Sequence, residues 1–249
     1  MVNELEKLSQ DLARLGVEPG SALLVHSSVK ALGTSLTPEQ ILDCLQARLG
    51  EEGTLLVPAL TYENVNAENP VFDSEKTEPC IGLLPRTFWK LPGVERSVHP
   101  THSVCARGRL AHRLTAGHRM DDSAVGPHSP FMQLAVVGGK LLFIGDVLEA
   151  CTFMHGIEEI VKPPFIRTLP GKRVLTVNGE KREYPNTTDF GWGSEFQRIG
   201  EILEEPDIRR GKLLNASACL IDARALLAVG LMKMWAEPYS FVTDISQWI

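Results

Sequence analysis

Residues 22–59 read ALLVHSSVKALGTSLTPEQILDCLQARLGEEGTLLVPA. Two continuous apolar runs, ALLVH (22–26) and TLLVPA (54–59), have the character of strands buried on both faces of a sheet. Between them Thr37 is a good N-cap, Pro38 suits the first helical position, and Gln40 completes a capping box. The helix so begun runs through Ile41, Leu42 and Leu45 to Gly50. Strand, helix, strand in that order predicts parallel neighbours and an α/β fold.

Working outward, Leu5, Leu8, Leu12 and Leu15 recur at helical spacing, and Gly16 is a natural stop. Residues 60–82 are polar and irregular, as in a long functional loop. Helix-like stretches near 83–90 and 109–117 flank HPTHSVC (99–105), which reads as an extended strand after Pro100. LAVVGGKLLFIG (134–145) reads as two strands joined by Gly-Gly, and VLTVNGEKREY (174–184) as a hairpin with Asn-Gly at its tip. Helices are expected from Ser194 to about Leu203 and from Asp222 to about Leu231. No internal repeat or low-complexity segment interrupts this pattern. The expectation is one α/β domain over 1–249, with a mixed, largely buried sheet flanked by helices, plus β-hairpins.

With 249 residues, 43% hydrophobic and 22% charged, the chain has enough apolar surface for one large core. A net charge of −6 argues against a nucleic-acid partner, which needs surplus Lys and Arg. The opening MVNELEKLSQDLARLG is an amphipathic helix without the features of a signal peptide, and no run approaches a membrane span. Five scattered cysteines without C-x-x-C point to reduced thiols and a cytoplasmic setting.

Three segments carry potential chemistry. In HPTHSVC, two histidines and a cysteine resemble metal ligands, but on a strand i and i+3 point to opposite faces, so no metal is expected; packed, hydrogen-bonded histidines are the simpler reading. In VHSSVKALG (25–33), a strand ending at His26 opens through Ser27 and Ser28 into a loop. Its backbone N–H groups and hydroxyls suit a phosphate or pyrophosphate, or form an ordinary Ser-capped turn. In FIGDVLEACTFMHGIEE (143–159), a helix starting near Thr152 puts His155 and Glu158 on one face, either a general base with an orienting carboxylate or an exposed histidine beside an ordinary helix-surface glutamate. Cys151, among apolar neighbours without an activating cation, reads as packing. Walker, G-x-S-x-G, G-x-G-x-x-G and H-E-x-x-H patterns are absent. The [RQ]-x-x-G-x-[GA] signature of the GNAT acetyltransferases is absent too, QRIGEI (197–202) failing at its last position.

Taken in order, LLVHSSVKALG, EGTLLVPALTY, RSVHPTHSVCARG, GPHSPF with GGKLLFIG, and CTFMHGIEE resemble the aminoglycoside 3-N-acetyltransferase family from about residue 4 to about 235. The resemblance implies a non-GNAT α/β fold that transfers acetyl from acetyl-CoA, without metal, to an amine of an aminosugar. It implies that His26, Ser27, Ser28, Leu32 and Gly33 hold the CoA pyrophosphate, and that pantetheine lies along Ser103 and Val104. His155 becomes the base, Glu158 its partner, and Thr152 a hydroxyl near the thioester. Tyr62, Glu63 and Asp73 of the loop YENVNAENPVFD (62–73) would face the acceptor, with Glu149 in the place of an acidic residue in relatives. LEAC (148–151) replaces the Asp- and Asn-rich stretch of many members, and the 62–73 loop lacks a Trp-rich insertion. A biosynthetic or nucleotide-linked aminosugar is therefore the alternative acceptor. A metal- or cysteine-dependent hydrolase and a non-catalytic CoA-binding module are the rival readings. The expected partners are a small-molecule amine and CoA, with no nucleic acid and no membrane, acting as a monomer or homodimer.

Overall fold

The computed structural model describes residues 3–188 and 191–246. The chain runs from α1 (Glu4–Leu15) through β1 (Ala22–Ser27), α2 (Val29–Leu32) and α3 (Pro38–Leu49) to β2 (Thr54–Pro58) and β3 (Val71–Phe72). It continues with α4 (Leu83–Phe88), β4 (Glu95–Arg96), β5 (Val104–Gly108), α5 (Ala111–Thr115), α6 (Pro130–Val136), β6 (Lys140–Ile144) and α7 (Phe153–Val161). The remainder is β7 (Arg167–Val177), β8 (Glu180–Thr188), β9 (Trp192–Ser194), α8 (Ile199–Ile202), β10 (Ile208–Leu213), β11 (Ala216–Asp222), α9 (Ala223–Ala236) and β12 (Val242–Asp244). Met1 and Val2, which the sequence assigns to the first helix, lie outside the described residues.

Seven strands form a mixed sheet in the order β10-β11-β6-β1-β2-β5-β4. β1 pairs parallel with both β2 and β6, as the strand–helix–strand pattern requires, while β5 and β11 join antiparallel. Residues alternate across β1: Leu23 and Val25 pack under α1, α3 and α4, whereas Leu24 faces α5, α6, α7 and α9. Burial of both faces explains the unbroken apolar strands. The capping box at Thr37 and Gln40 forms as expected, and Gly16 takes the left-handed conformation that ends α1.

Several expectations are corrected. LAVVGGKLLFIG is not a hairpin: its first run belongs to α6, and only Lys140–Ile144 is a strand. The cap decides this, because Ser129 accepts from the Met132 N–H and Pro130 fills the first helical turn. Gly139 then donates to the Leu134 carbonyl, where a Cβ would lie only 2.3 Å from Leu134 Cδ1. HPTHSVC is extended only from Val104; Pro100–His102 form a turn. The helix expected from Ser194 begins as a 3₁₀ turn at Phe196–Arg198, Trp192–Ser194 being strand, and the last helix extends to Ala236. The Asn-Gly hairpin forms as β7–β8, with Asn178 and Gly179 both at positive φ (47° and 86°), the pattern of a type I′ turn.

Topology marks a place for a ligand. After β1 the chain turns toward β2 and the α3 face; after β6 it turns toward α7 on the opposite face. Such a switch point leaves a crevice beyond the carboxyl ends of two adjacent parallel strands.

Candidate functional site

The switch point lies between Ser27–Ser28 after β1 and Gly145 after β6. Ser28 N–H donates to the Ile144 carbonyl at 2.8 Å, tying the two strand ends together. Gly145 has φ 89°, and a Cβ there would sit 3.1 Å from the Cβ atoms of both Ser28 and Ala31. Glycine is therefore required by both dihedral and space. Ser27 and Ser28 are half-buried, and the Ser28 hydroxyl makes no capping hydrogen bond to α2.

From β6 the chain passes through a 3₁₀ turn, Leu148–Ala150, into α7. Phe153, Met154 and Ile157 anchor α7 in the core, while His155 on the same helix stays partly exposed. His155 Nδ1 and Glu158 Oε2 are 2.7 Å apart, with the histidine side chain 37% exposed and the glutamate 5%. The Phe196 ring meets His155 edge-on at 4.9 Å, and His102 does so at 6.3 Å. Tyr62 lies 6.2 Å from His102. The loop ahead of β5 and helix α7, separated in sequence by α5, α6 and β6, thus bring their side chains to one place. Thr152, buried at the start of α7, has its hydroxyl 3.4 Å from the Ala150 carbonyl.

The histidines of HPTHSVC are not on opposite faces. In the turn, His99 Nδ1 accepts the N–H of His102 at 2.9 Å, and the two rings stand 6.0 Å apart. The strand-based reason for excluding a metal therefore does not apply. Accepting backbone N–H groups, His99 Nδ1 carries no proton, and its lone pair is already engaged. His118 stacks on His99 at 4.9 Å and bonds Ser97 Oγ at 2.9 Å. Burial lowers His118 to about 4 and His102 to about 3, so this stack is neutral at physiological pH. Among the described residues, no group of three or more His, Cys, Asp or Glu side chains is placed to hold a metal ion. No helix among them is long and apolar enough to cross a membrane.

Other positions named from the sequence are placed as follows. His26 is buried flat against Phe143 at 5.0 Å and lowered to about 4 by burial, so it offers no positive charge. Leu32 packs under α1 and α3, and the carbonyls of Leu32 and Gly33 are both bonded by Asn215. Ser103 is buried, donating to the Ala59 carbonyl at 2.7 Å and accepting from Arg96 Nε at 2.9 Å; Val104 is core. Tyr62 is 45% exposed beside His102, and Glu63 and Glu149 are exposed. Asp73 is turned onto its own loop, accepting from Glu75 N–H and pairing with Lys76. Burial pushes the Cys151 thiol up to about 12, as fits a packing residue. No local pattern singles out His118, Tyr184 or Phe196, which join the cluster through tertiary contacts.

Comparison with known proteins identifies the family and matches the overall fold. The sequence model of the aminoglycoside 3-N-acetyltransferase family matches residues 24–235. Aminoglycoside N(3)-acetyltransferase VII of Streptomyces paromomycinus is 31% identical over 260 residues, covering 92% of this chain and 90% of that protein. The aminoglycoside acetyltransferase AAC(3)-IVa, solved as a histidine-to-alanine mutant with gentamicin, superposes with TM-score 0.82 at 27% identity, over 98% of this chain and 96% of that one. AAC-IIIb in binary complex with CoASH gives TM-score 0.79 at 27% identity, over 95% and 96%. The chain therefore belongs to the aminoglycoside 3-N-acetyltransferase family and is an N-acetyltransferase by class.

Proposed function

We propose that this protein transfers acetyl from acetyl-CoA to an amine of an aminosugar, with His155 as general base. The observation that carries the reading is the His155–Glu158 pair beside the switch-point crevice. Its support from relatives is that AAC-IIIb was solved with CoASH and AAC(3)-IVa with gentamicin.

The amine must be neutral to attack a thioester. A carboxylate accepting from Nδ1–H fixes the tautomer and leaves Nε2 with its lone pair toward the crevice. Nε2 takes the proton as nitrogen bonds to the carbonyl carbon, and returns it to the departing thiolate. Proton transfer of this kind contributes about 10²–10⁴-fold. Glu158, buried and 2.7 Å away, stabilises the transient imidazolium. Thr152, buried at the start of the same helix, is the hydroxyl that the family resemblance assigns to the neighbourhood of the thioester. Ser27 and Ser28, half-buried at the end of β1, fit the polar part of the donor through hydroxyls and backbone N–H groups. Direct transfer is favoured over an acyl-enzyme because Cys151 is fully buried and its thiol is held protonated.

Release of thiol from acetyl-CoA across a panel of amines, aminoglycosides included, tests the reading. Amine-dependent release is expected; none with any amine refutes it.

A further inference from the structure

The β7–β8 hairpin brings a second kind of chemistry to the histidine cluster ahead of β5. In register, Arg173 lies opposite Tyr184, and Leu175 opposite Arg182. Arg173, Leu175 and Val177 alternate onto one face of β7, and Leu175, Val177 and Tyr184 pack inward against Phe72 and Val65. Arg173 and Arg182 share that face at the rim of this small core, Arg173 exposed and Arg182 half-buried. The Tyr184 ring meets His99 at 5.7 Å, His99 meets His102 at 6.0 Å, and His102 meets His155 at 6.3 Å. Arg182 lies over Tyr184 at 5.8 Å from its centroid and donates to the Arg119 carbonyl.

Three further observations concern charge and unmet hydrogen bonds. Among the described residues, neither Arg173 nor Arg182 has a carboxylate within ion-pair distance; Glu183 on the outer face is taken by Lys172 at 2.7 Å. The arginine charges reach inward, since Arg173 disfavours protonation of both His99 and His102, and Arg182 that of His99. Tyr184 Oη and His99 Nε2 are buried and, among the described residues, have no hydrogen-bond partner, although both residues are only 3% exposed. With its Nδ1 accepting, His99 carries its proton on Nε2 and is a donor without an acceptor. A buried donor left unmet costs roughly 1–3 kcal/mol, so two together call for an explanation.

We propose that Arg173 and Arg182, with Tyr184 and His99 beneath them, form an anion subsite that takes a phosphoryl group carried by the acceptor. This rests on the acetyl-transfer reading and narrows its substrate class to an aminosugar bearing phosphate, free or as part of a nucleotide. Guanidinium groups match phosphate bidentately, whereas a polycationic acceptor would meet like charge here. The donor can supply the same chemistry, because CoA carries phosphates. His99, however, lies on the connection between β4 and β5, and in the main sheet β2 separates β5 from β1 and its Ser27–Ser28 loop.

The test compares glucosamine 6-phosphate with glucosamine as acceptors on the same enzyme, by thiol release and by calorimetric binding. The phosphorylated amine should have a kcat/KM at least tenfold higher. Arg173→Gln and Arg182→Gln should collapse that ratio toward one, and Arg173→Lys should restore part of it; taking the ratio on each variant cancels any loss of folded protein. Equal kcat/KM and equal affinity for the two amines in the unaltered protein overturn the proposal. A rise in the KM for acetyl-CoA with the acceptor ratio intact also overturns it, assigning the arginines to the donor. Absence of thiol release with every amine, kanamycin included, defeats the acetyl-transfer reading instead. In that case the calorimetric comparison still decides the subsite.

Discussion

His155 Nδ1 and Glu158 Oε2 stand 2.7 Å apart, one helical turn from each other on α7, the carboxylate buried and the imidazole partly exposed. Because the pair is built on a helix packed through Phe153, Met154 and Ile157, its geometry is fixed before any substrate arrives. His155→Ala should lower acetyl transfer by about 10²–10⁴-fold while acetyl-CoA affinity changes little. Glu158→Gln should cost roughly tenfold or more, since the amide still orients the ring but cannot neutralise an imidazolium. Steady-state kinetics with calorimetry on both variants separates these effects. A fully active His155→Ala would remove the base assignment.

The thiols offer a contrasting result. Burial raises Cys151 and Cys105 to about 12 each, so neither is a thiolate at neutral pH. Neither should react with a disulfide reagent in the native protein, and both should react once it is unfolded. Cys151→Ala should keep activity within about threefold, the change removing one small buried atom. Trapping an acetylated Cys151 would show that the acyl group passes through the enzyme.

Acid should destabilise the fold earlier than its carboxylates alone require. His26 and His118 are lowered by burial to about 4, against about 6.5 when unfolded. Below pH ~6.5 the unfolded chain binds protons that the folded chain refuses. The stability from keeping these rings neutral is therefore complete above that pH and declines as pH falls toward 4. Each ring contributes a slope of about 1.4 kcal/mol per pH unit in that window. Urea unfolding at pH 7.5 and pH 5 measures it, and a flat unfolding free energy between them would rule out neutral buried histidines.

Ser103 separates stability from binding. Its hydroxyl bridges the Ala59 carbonyl and the Nε of Arg96, whose other nitrogens hold the carbonyls of Ala59, Ser74 and Thr77. Ser103→Ala strips a partner from a largely buried cation and should cost about 1–3 kcal/mol. The KM for acetyl-CoA should move less than threefold. A large KM change at unaltered stability would mean that the hydroxyl contacts the donor rather than the fold.

The sequence alone determined the parts of this protein whose causes are local. The parallel pairing of β1 with β2 followed from two apolar runs around a capped helix. The His155–Glu158 pair followed from a spacing of three on one helix face, and the β7–β8 hairpin from Asn-Gly. Local rules failed where a cap outweighed composition: the β-rich LAVV is helical because Ser129 and Pro130 start a helix and Gly139 stops it. Only the tertiary structure decided which distant segments meet. His102 and His118 from the loops around β5, Phe196 after β9, and Arg173 with Tyr184 on the hairpin come together because burying the faces of one mixed sheet fixes where each connection crosses it. Such contacts have no period in the sequence. They arise from packing, and so a turn carrying His99 and His102, read locally as a strand, becomes the link between the helix that carries His155 and a cationic hairpin.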